Sequence, residues 1–361
     1  MKLAIFGLTI SSSWGNGHAT LWRSLCRALT RRGNRVTFFE RDVSWYADAR
    51  DLEEMPGLET VLYPDWDSLL PRAAREVTEA DVAMVTSYCP DGIEASALVL
   101  ASRAARVFYD LDTPVTLAAL AAGNRPAYLP PEGLGGFDLV LSFTGGATLE
   151  RLRKELGARH VLPLYGSVDP LTHRPVAPTA EYRADLSYLG TYAADRQAAL
   201  EAFLIEPARQ LPQCRFLIGG AQYPADFPWT ENIHFVRHMP PQQHPAFFSS
   251  SRITLNVTRR AMAEAGWCPS GRLFEAAACG APLLSDAWPG LSDFYTPGQE
   301  ILIARDTADA MAAIRRDDAE LRSIADRARE RTLDEHSGDR RARDLEAALG
   351  TMAATAMQTE A

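Results

Sequence analysis

MKLAIFGLTISSSWGNGHATLWRSLCRALTRRGNRVTFFE, residues 1–40, decides the fold. Residues 2–8 are a short apolar run of strand type, and residues 17–32 place Leu21, Leu25, Ala28 and Leu29 at helical spacing before Gly33 stops them. Residues 35–40, RVTFFE, return to strand character. A β-loop-α-β opening of this kind is the signature of a parallel, Rossmann-like sheet.

Outward from that unit the alternation continues. Strands are expected at 81–87, 106–110 and 137–143, each followed by a helix, at 92–105, 114–122 and 147–157, and HVLPLYG at 160–166 closes the half. From Ser167 to Asp185 the composition changes to a proline-rich stretch of mixed charge, SVDPLTHRPVAPTAEYRAD, which reads as a linker over 169–184. A second series begins with LSYLG at 186–190: a helix over 195–211, CRFLIGG, NIHFVRH, a helix over 244–250, RITLNVT, a short helix from Ser270, PLLSD and EILIA. A charged helical tail follows from Thr307; its segment 336–361 is expected to pack back on the first half, and its last residues, 353–361, are expected to fray. The chain therefore reads as two Rossmann-like α/β domains, 1–168 and 185–335, whose parallel sheets face an interdomain cleft at their carboxyl edges.

Composition narrows the function classes. The 361 residues are 47% hydrophobic and 23% charged, ordinary for a globular enzyme, and no run approaches the ~20 apolar residues of a membrane span. The start enters a strand with no signal-peptide pattern, so a reducing cytoplasm is the expected location. Five cysteines, an odd number without a CxxC, suggest neither a disulfide framework nor a zinc ribbon. A net charge of −9 argues against a nucleic-acid partner, because such binding is driven by phosphate neutralisation.

Candidate sites fall in loops that follow strands. In the loop 9–22, Gly15, Asn16 and Gly17 let the backbone turn at an acceptor-binding position, and His18 begins the helix at the top of the sheet. His18 has the chemistry to take a proton from an acceptor hydroxyl; it also has the position of a simple helix cap. Asp110 and Asp112, in FYDLDTP, lie on alternate residues and so point opposite ways. Asp112 before Pro114 suits a structural N-cap, which leaves Asp110 as the catalytic or acceptor-binding candidate. GNG with Glu40 at the end of the next strand partly matches a dinucleotide fingerprint, but Thr20 stands where the third glycine belongs.

In the second half, Arg196 follows the strand LSYLG, with Thr191 and Tyr192 lining the approach, and Arg259 and Arg260 follow RITLNVT. PSGRLFEAAACGAPLLSD, residues 269–286, reads as a turn, a two-turn helix, a glycine stop and a buried strand. Ser270 caps that helix, Gly271 opens it, and Arg272 in its first turn makes a seat for a phosphate, with Glu275 one turn on. Arg272 and Glu275 are equally spaced to pair with each other. With neither a DxD nor a histidine cluster at metal spacing in this half, a diphosphate is expected to be neutralised by arginines and helix dipole, with no metal and no cofactor.

GRLFEAAACGAPLLSD followed by WPGLSDFYTPGQEILIA resembles the donor-binding segment of GT-B glycosyltransferases, in particular the family 4-like group that includes the CgeB spore-maturation proteins. FYDLDTPVTL, FDLVLSFTGG and LSYLGTY look like the same group, so the resemblance spans most of residues 1–340. It implies a metal-independent, hexosyltransferase-like enzyme that takes a nucleotide-diphosphate sugar as donor substrate and passes the sugar to an acceptor. By resemblance Glu275 holds the donor ribose, Arg196 the diphosphate, and His238 and Met239 lie near the nucleobase. Eight residues before Glu275, where the group has a glutamate on the donor sugar, this chain has Trp267. A nucleotide-sugar epimerase or hydrolase, a non-catalytic nucleotide-sugar-binding coat protein, and an NAD-linked oxidoreductase are the alternatives.

Overall fold

The computed structural model describes residues 1–359, and the terminal stretch expected to fray, 353–361, reaches beyond them. The chain divides into two compact units, residues 1–166 with 338–361 and residues 167–337.

Unit 1 is built on seven parallel strands: β1 (Lys2–Gly7), β2 (Arg35–Arg41), β3 (Leu58–Tyr63), β4 (Val82–Thr86), β5 (Ala105–Asp110), β6 (Leu139–Ser142) and β7 (Val161–Pro163). Their order is β3-β2-β1-β4-β5-β6-β7, with the chain reversing direction of winding beside β1. Strand β1 registers Ile5 with Phe38 of β2 and with Met84 of β4, so its apolar run is covered on both edges and both faces. The helix His18–Arg31 turns Trp22, Leu25, Cys26 and Leu29 into the core and leaves Arg31 outside.

Residues 41–80, which show no clear period in the sequence, hold a one-turn helix at Ser44–Ala47, a strand and a longer helix. β3 is an edge strand whose alternating exposure includes Glu59, and the helix Trp66–Glu79 carries Pro71 in its interior. The polar edge pattern and the proline both weaken the signals that mark strands and helices.

The helix Gly338–Thr359 belongs to unit 1. Ala342, Leu345 and Leu349 join the cluster around Trp22, Leu25 and Leu29, and Arg32 and Asn34 both donate to Glu346. Gly338 has to be small: a Cβ there would lie 2.6 Å from the Ser24 carbonyl. The buried Arg341 donates to the carbonyls of Tyr165 and Gly166.

Unit 2 carries six parallel strands, β8 (Leu186–Leu189), β9 (Phe216–Gly220), β10 (Ile233–Arg237), β11 (Thr254–Asn256), β12 (Leu283–Asp286) and β13 (Leu302–Ala304), in the order β10-β9-β8-β11-β12-β13. The stretch expected to be a linker is built into this unit. Val168 bridges to Ser337, the amides of Val176 and Thr179 donate to Ser249 and Ser250, and Tyr182 donates to Gln243. The single helix expected over 195–211 is interrupted: a 3-10 turn at Ala194–Arg196, an α-turn at Gln197–Leu200, a π-turn at Glu201–Ile205, and an α-turn at Glu206–Gln210. Pro207 has no N–H to give the Phe203 carbonyl, which accounts for the wider turn before it.

Candidate functional site

In unit 1 the loop after β1 is held by the acid of the partial dinucleotide fingerprint. Glu40, at the end of β2, is fully buried and accepts from Thr9 Oγ1 at 2.9 Å, Ile10 N at 2.7 Å, and Ser11 N and Oγ at 2.9 and 2.6 Å. Its lone pairs are spent on the loop, and the dinucleotide reading loses its only acidic support. Arg23 and Asp51 brace the same loop from the other side, joined at 2.6 Å, with Asp51 also accepting from Ser13. The braced loop delivers Gly15, whose φ of +68° suits glycine, then Asn16 and Gly17, and then His18 as the first helical residue. Asn16 accepts from the Ala19 amide, so it caps the helix itself.

His18 Nε2 stands 3.6 Å from Asp112 Oδ2, and its ring meets Tyr88 edge-on at 5.4 Å. Asp112 holds the N-cap position of the helix Thr113–Ala121 as expected, yet its side chain makes no capping bond and is turned to the histidine instead. Asp110 points the other way. It is fully buried, and its Oδ2 has no hydrogen-bond partner. Its Oδ1 accepts from the Asp112 amide and from Thr116 Oγ1, and Thr116 in turn shares a hydrogen bond with Tyr128. Burial pushes its carboxyl up to about 6, against the opposing pull of Thr116 and the Asp112 amide. Tyr88, with a φ of +63°, is held in a backbone conformation that costs energy for a side chain of its size, directly between His18 and Tyr128.

In unit 2 the carboxyl edge of β8 gathers positive charge. Arg272, from the first turn of the helix Gly271–Ala278, lies over the Tyr188 ring at 5.4 Å and reaches Asn256 Oδ1 at 3.4 Å. Arg196 donates to the Tyr188 hydroxyl at 3.4 Å and to the Thr191 carbonyl at 3.2 Å. Among the described residues neither guanidinium has an ion-pair partner within 4 Å, and Arg196 Nε is buried with no hydrogen bond. Burial, with Arg196 nearby, lowers the pKa of Arg272. Gly190 makes the approach possible: a Cβ there would stand 3.0 Å from Arg272 Nη2. Ser270 caps the helix by accepting from the Arg272 amide, and Gly271 leaves the space in front of Glu275 open, the nearest atom to its absent Cβ being Glu275 Oε1 at 4.0 Å.

The remaining candidates divide. Tyr192 packs against Tyr223 at 5.6 Å, and Tyr223 donates to the Gly190 carbonyl. His238 is exposed with a φ of +51°, and Met239 is buried beside it. Arg259 does not join the other arginines: it is half exposed and lies 3.6 Å from Asp195. Trp267, with a φ of +43°, donates its indole N–H to Asp293 and lies flat on Gly290.

Glu275 is not paired to Arg272. Its Oε2 lies 3.4 Å from His244 Nδ1, and His173 Nε2 lies 3.4 Å from that same nitrogen. Burial would raise its carboxyl, but His173, His244 and Arg272 outweigh that and hold it down at about 2. No spacing along the chain marks a histidine cluster, yet in the fold two histidines and a glutamate converge from positions 71 and 31 residues apart. His173 sits in the supposed linker, and no local spacing ties it to the other two.

Comparison with known proteins places this architecture. Residues 196–347 match the family described as glycosyl transferase-like. The whole chain superposes on sucrose-phosphate synthase from Thermosynechococcus elongatus with a TM-score of 0.69, at 18% identity over 98% of this chain and 99% of that one. The fold is GT-B. Anabaena HepE in complex with UDP-glucose shares this GT-B fold at a TM-score of 0.64 and 14% identity, covering 97% of this chain and 100% of that one. A DNA-modifying β-glucosyltransferase studied with and without uridine diphosphoglucose does so at 0.61 and 13%, with the same coverage. No curated protein sequence matches the chain. Within the GT-B frame, the unpaired arginines lie in the unit that carries most of the family match, and His18 with Asp112 lies in the other.

Proposed function

We propose that the protein is a glycosyltransferase that takes a nucleotide-diphosphate sugar in unit 2 and passes the sugar to an acceptor hydroxyl through His18 of unit 1. The observation that carries this reading is the pair of unneutralised guanidiniums, Arg196 and Arg272, gathered around Tyr188 at the capped N-terminus of the helix Gly271–Ala278. Two half-buried cations side by side repel each other and, among the described residues, have no ion-pair partner within 4 Å; a diphosphate supplies one, with the helix amides as further donors. The phosphate charge is met by side chains, so transfer needs no divalent ion on the diphosphate.

Glu275 turns Oε2 to the histidines and keeps Oε1 toward the open space before Gly271, where it accepts from ribose hydroxyls. His18 takes the proton of the acceptor hydroxyl as its oxygen attacks the anomeric carbon and the nucleoside diphosphate departs; the reaction inverts that carbon. Asp112, 3.6 Å away, stabilises the cation formed on the ring, as the aspartate of a catalytic triad does. Asp110 fixes the Asp112 amide and so the direction of that carboxylate. Trp267 on its glycine platform offers an indole face where a carboxylate would contact the sugar, which favours a donor sugar recognised by its apolar face. The reading places the protein with nucleotide-sugar enzymes of the cytoplasm; among the described residues no helix is long and apolar enough to cross a membrane.

Calorimetric titration with UDP, GDP and TDP tests the donor site, and nucleoside-diphosphate release with an acceptor panel tests transfer. Binding of one nucleotide that is lost in Arg272→Ala, and transfer lost in His18→Ala with that binding intact, are the expected results. Failure of all three nucleotides to bind ends the reading.

A further inference from the structure

His173, His244 and Glu275 form a buried trio whose ring nitrogens and carboxylate face one another. His173 is 1% exposed, and the side chains of His244 and Glu275 are 12% exposed. His244 Nε2 faces the Met239 carbonyl at 3.3 Å, and a carbonyl can only accept, so that nitrogen carries the hydrogen. His244 Nδ1 is the nitrogen turned to the Glu275 carboxylate and to His173 Nε2, 3.4 Å from each. Lone pairs facing a carboxylate in a buried place call for a positive charge between them.

The geometry suits an ion. The three ligand atoms all lie within 4.8 Å of one another. Two of the three edges are 3.4 Å, and a tetrahedral centre with arms of about 2.0–2.1 Å has edges of about 3.3–3.4 Å. The hydrogen bond from His244 Nε2 to a backbone carbonyl is the outer contact that fixes a ligating imidazole in the required tautomer. Two imidazoles and one carboxylate suit a first-row divalent ion of the zinc class and disfavour magnesium and calcium, which prefer an all-oxygen shell.

We infer that His173 Nε2, His244 Nδ1 and Glu275 Oε2 bind one zinc-class divalent ion. The ion ties the 167–185 stretch and the helices His244–Ser249 and Gly271–Ala278 together at one point. A fourth position remains for water. The ion sits behind Glu275, on the side away from Gly271, and so differs in place and purpose from a cation bridging phosphates. The site goes beyond the proposed function and stands whether or not unit 2 binds a nucleotide.

The test uses the full chain without an affinity tag, stripped by chelator and then titrated with Zn²⁺ and Co²⁺ in the absence of nucleotide. The expected result is one ion per chain, with visible absorption typical of tetrahedral cobalt. His173→Gln and His244→Ala each weaken binding by ~100-fold or more while circular dichroism stays unchanged. His234→Ala, an exposed histidine on β10, leaves the stoichiometry at one. Binding that survives in both variants, a six-coordinate cobalt spectrum, or no stoichiometric binding by the folded protein overturns the site, the last leaving a protonated His244 as the positive charge. Because no nucleotide is present, failure of the donor reading cannot produce any of these results.

Discussion

Asp110→Asn should stabilise unit 1 more as the pH rises, because the wild-type side chain is a carboxyl kept from water. Burial raises its pKa from 3.8 to about 6. Below 3.8 the group is neutral in both the folded and the unfolded chain and contributes no difference. Between 3.8 and about 6 the unfolded chain releases the proton while the folded chain keeps it, so stability falls as the pH rises. Above about 6 the folded chain carries the full cost of a buried charge, a gap of roughly two pH units or about 3 kcal/mol. Asparagine keeps the shape and the acceptor for the Asp112 amide and Thr116, and it does not titrate. Its advantage over wild type should therefore grow from about 1 kcal/mol at pH 4.5 to about 3 kcal/mol at pH 8, on top of a constant offset from the lone amide group. Equilibrium urea unfolding read by pulsed hydrogen-exchange mass spectrometry separates peptides of unit 1 from those of unit 2 and gives the difference at each pH. A difference that stays flat from pH 4.5 to 8 would refute the reasoning, since it would mean that the carboxylate ionises in the fold without cost.

Glu40→Ala should cost unit 1 about 3 kcal/mol, because the Ile10 and Ser11 amides lose a buried acceptor together, and should leave nucleotide binding unchanged; urea midpoints and UDP calorimetry read the two halves of that statement. Arg272→Ala should weaken UDP binding by ~10–100-fold, and Arg259→Ala, itself half exposed beside Asp195, by less than ~2-fold, so equal effects would show that the arginines act as a diffuse patch. In Gly290→Ala the new Cβ would fall 2.4 Å from the Trp267 ring at a φ of +85°, and the thermal midpoint of unit 2 should drop by the equivalent of about 1–3 kcal/mol; no change would mean that the indole moves aside freely.

The fold was legible because its strands are short apolar runs each followed by a helix of 3.6-residue period, and residues 1–40 show this most clearly. β3 escaped because an edge strand with Glu59 in it has half the apolar signal of a buried one. The arginines were legible because each follows a strand, and position after a parallel strand is position at the carboxyl edge. Their state was not: whether Arg272 or Arg259 is paired depends on where Asp195 and Glu275 turn. The role of Asp112 was hidden for a similar reason, since a residue at a cap position carries the same sequence signature whether or not its side chain caps. His173 and His244 left no signal at all, because the contact between them is made by tertiary packing across 71 residues.

Unit 1 is interrupted in sequence by the whole of unit 2. Leu345 and Leu349, which cover part of the Trp22 helix, leave the ribosome only after the 171 residues from 167 to 337. At about 5–20 residues per second, that apolar face stays uncovered for roughly 10 to 35 s of synthesis, while unit 2 is free to complete itself. Expression of residues 1–166 alone should accordingly yield a chaperone-bound or aggregating product, and appending residues 338–359 through a short flexible connector should rescue it.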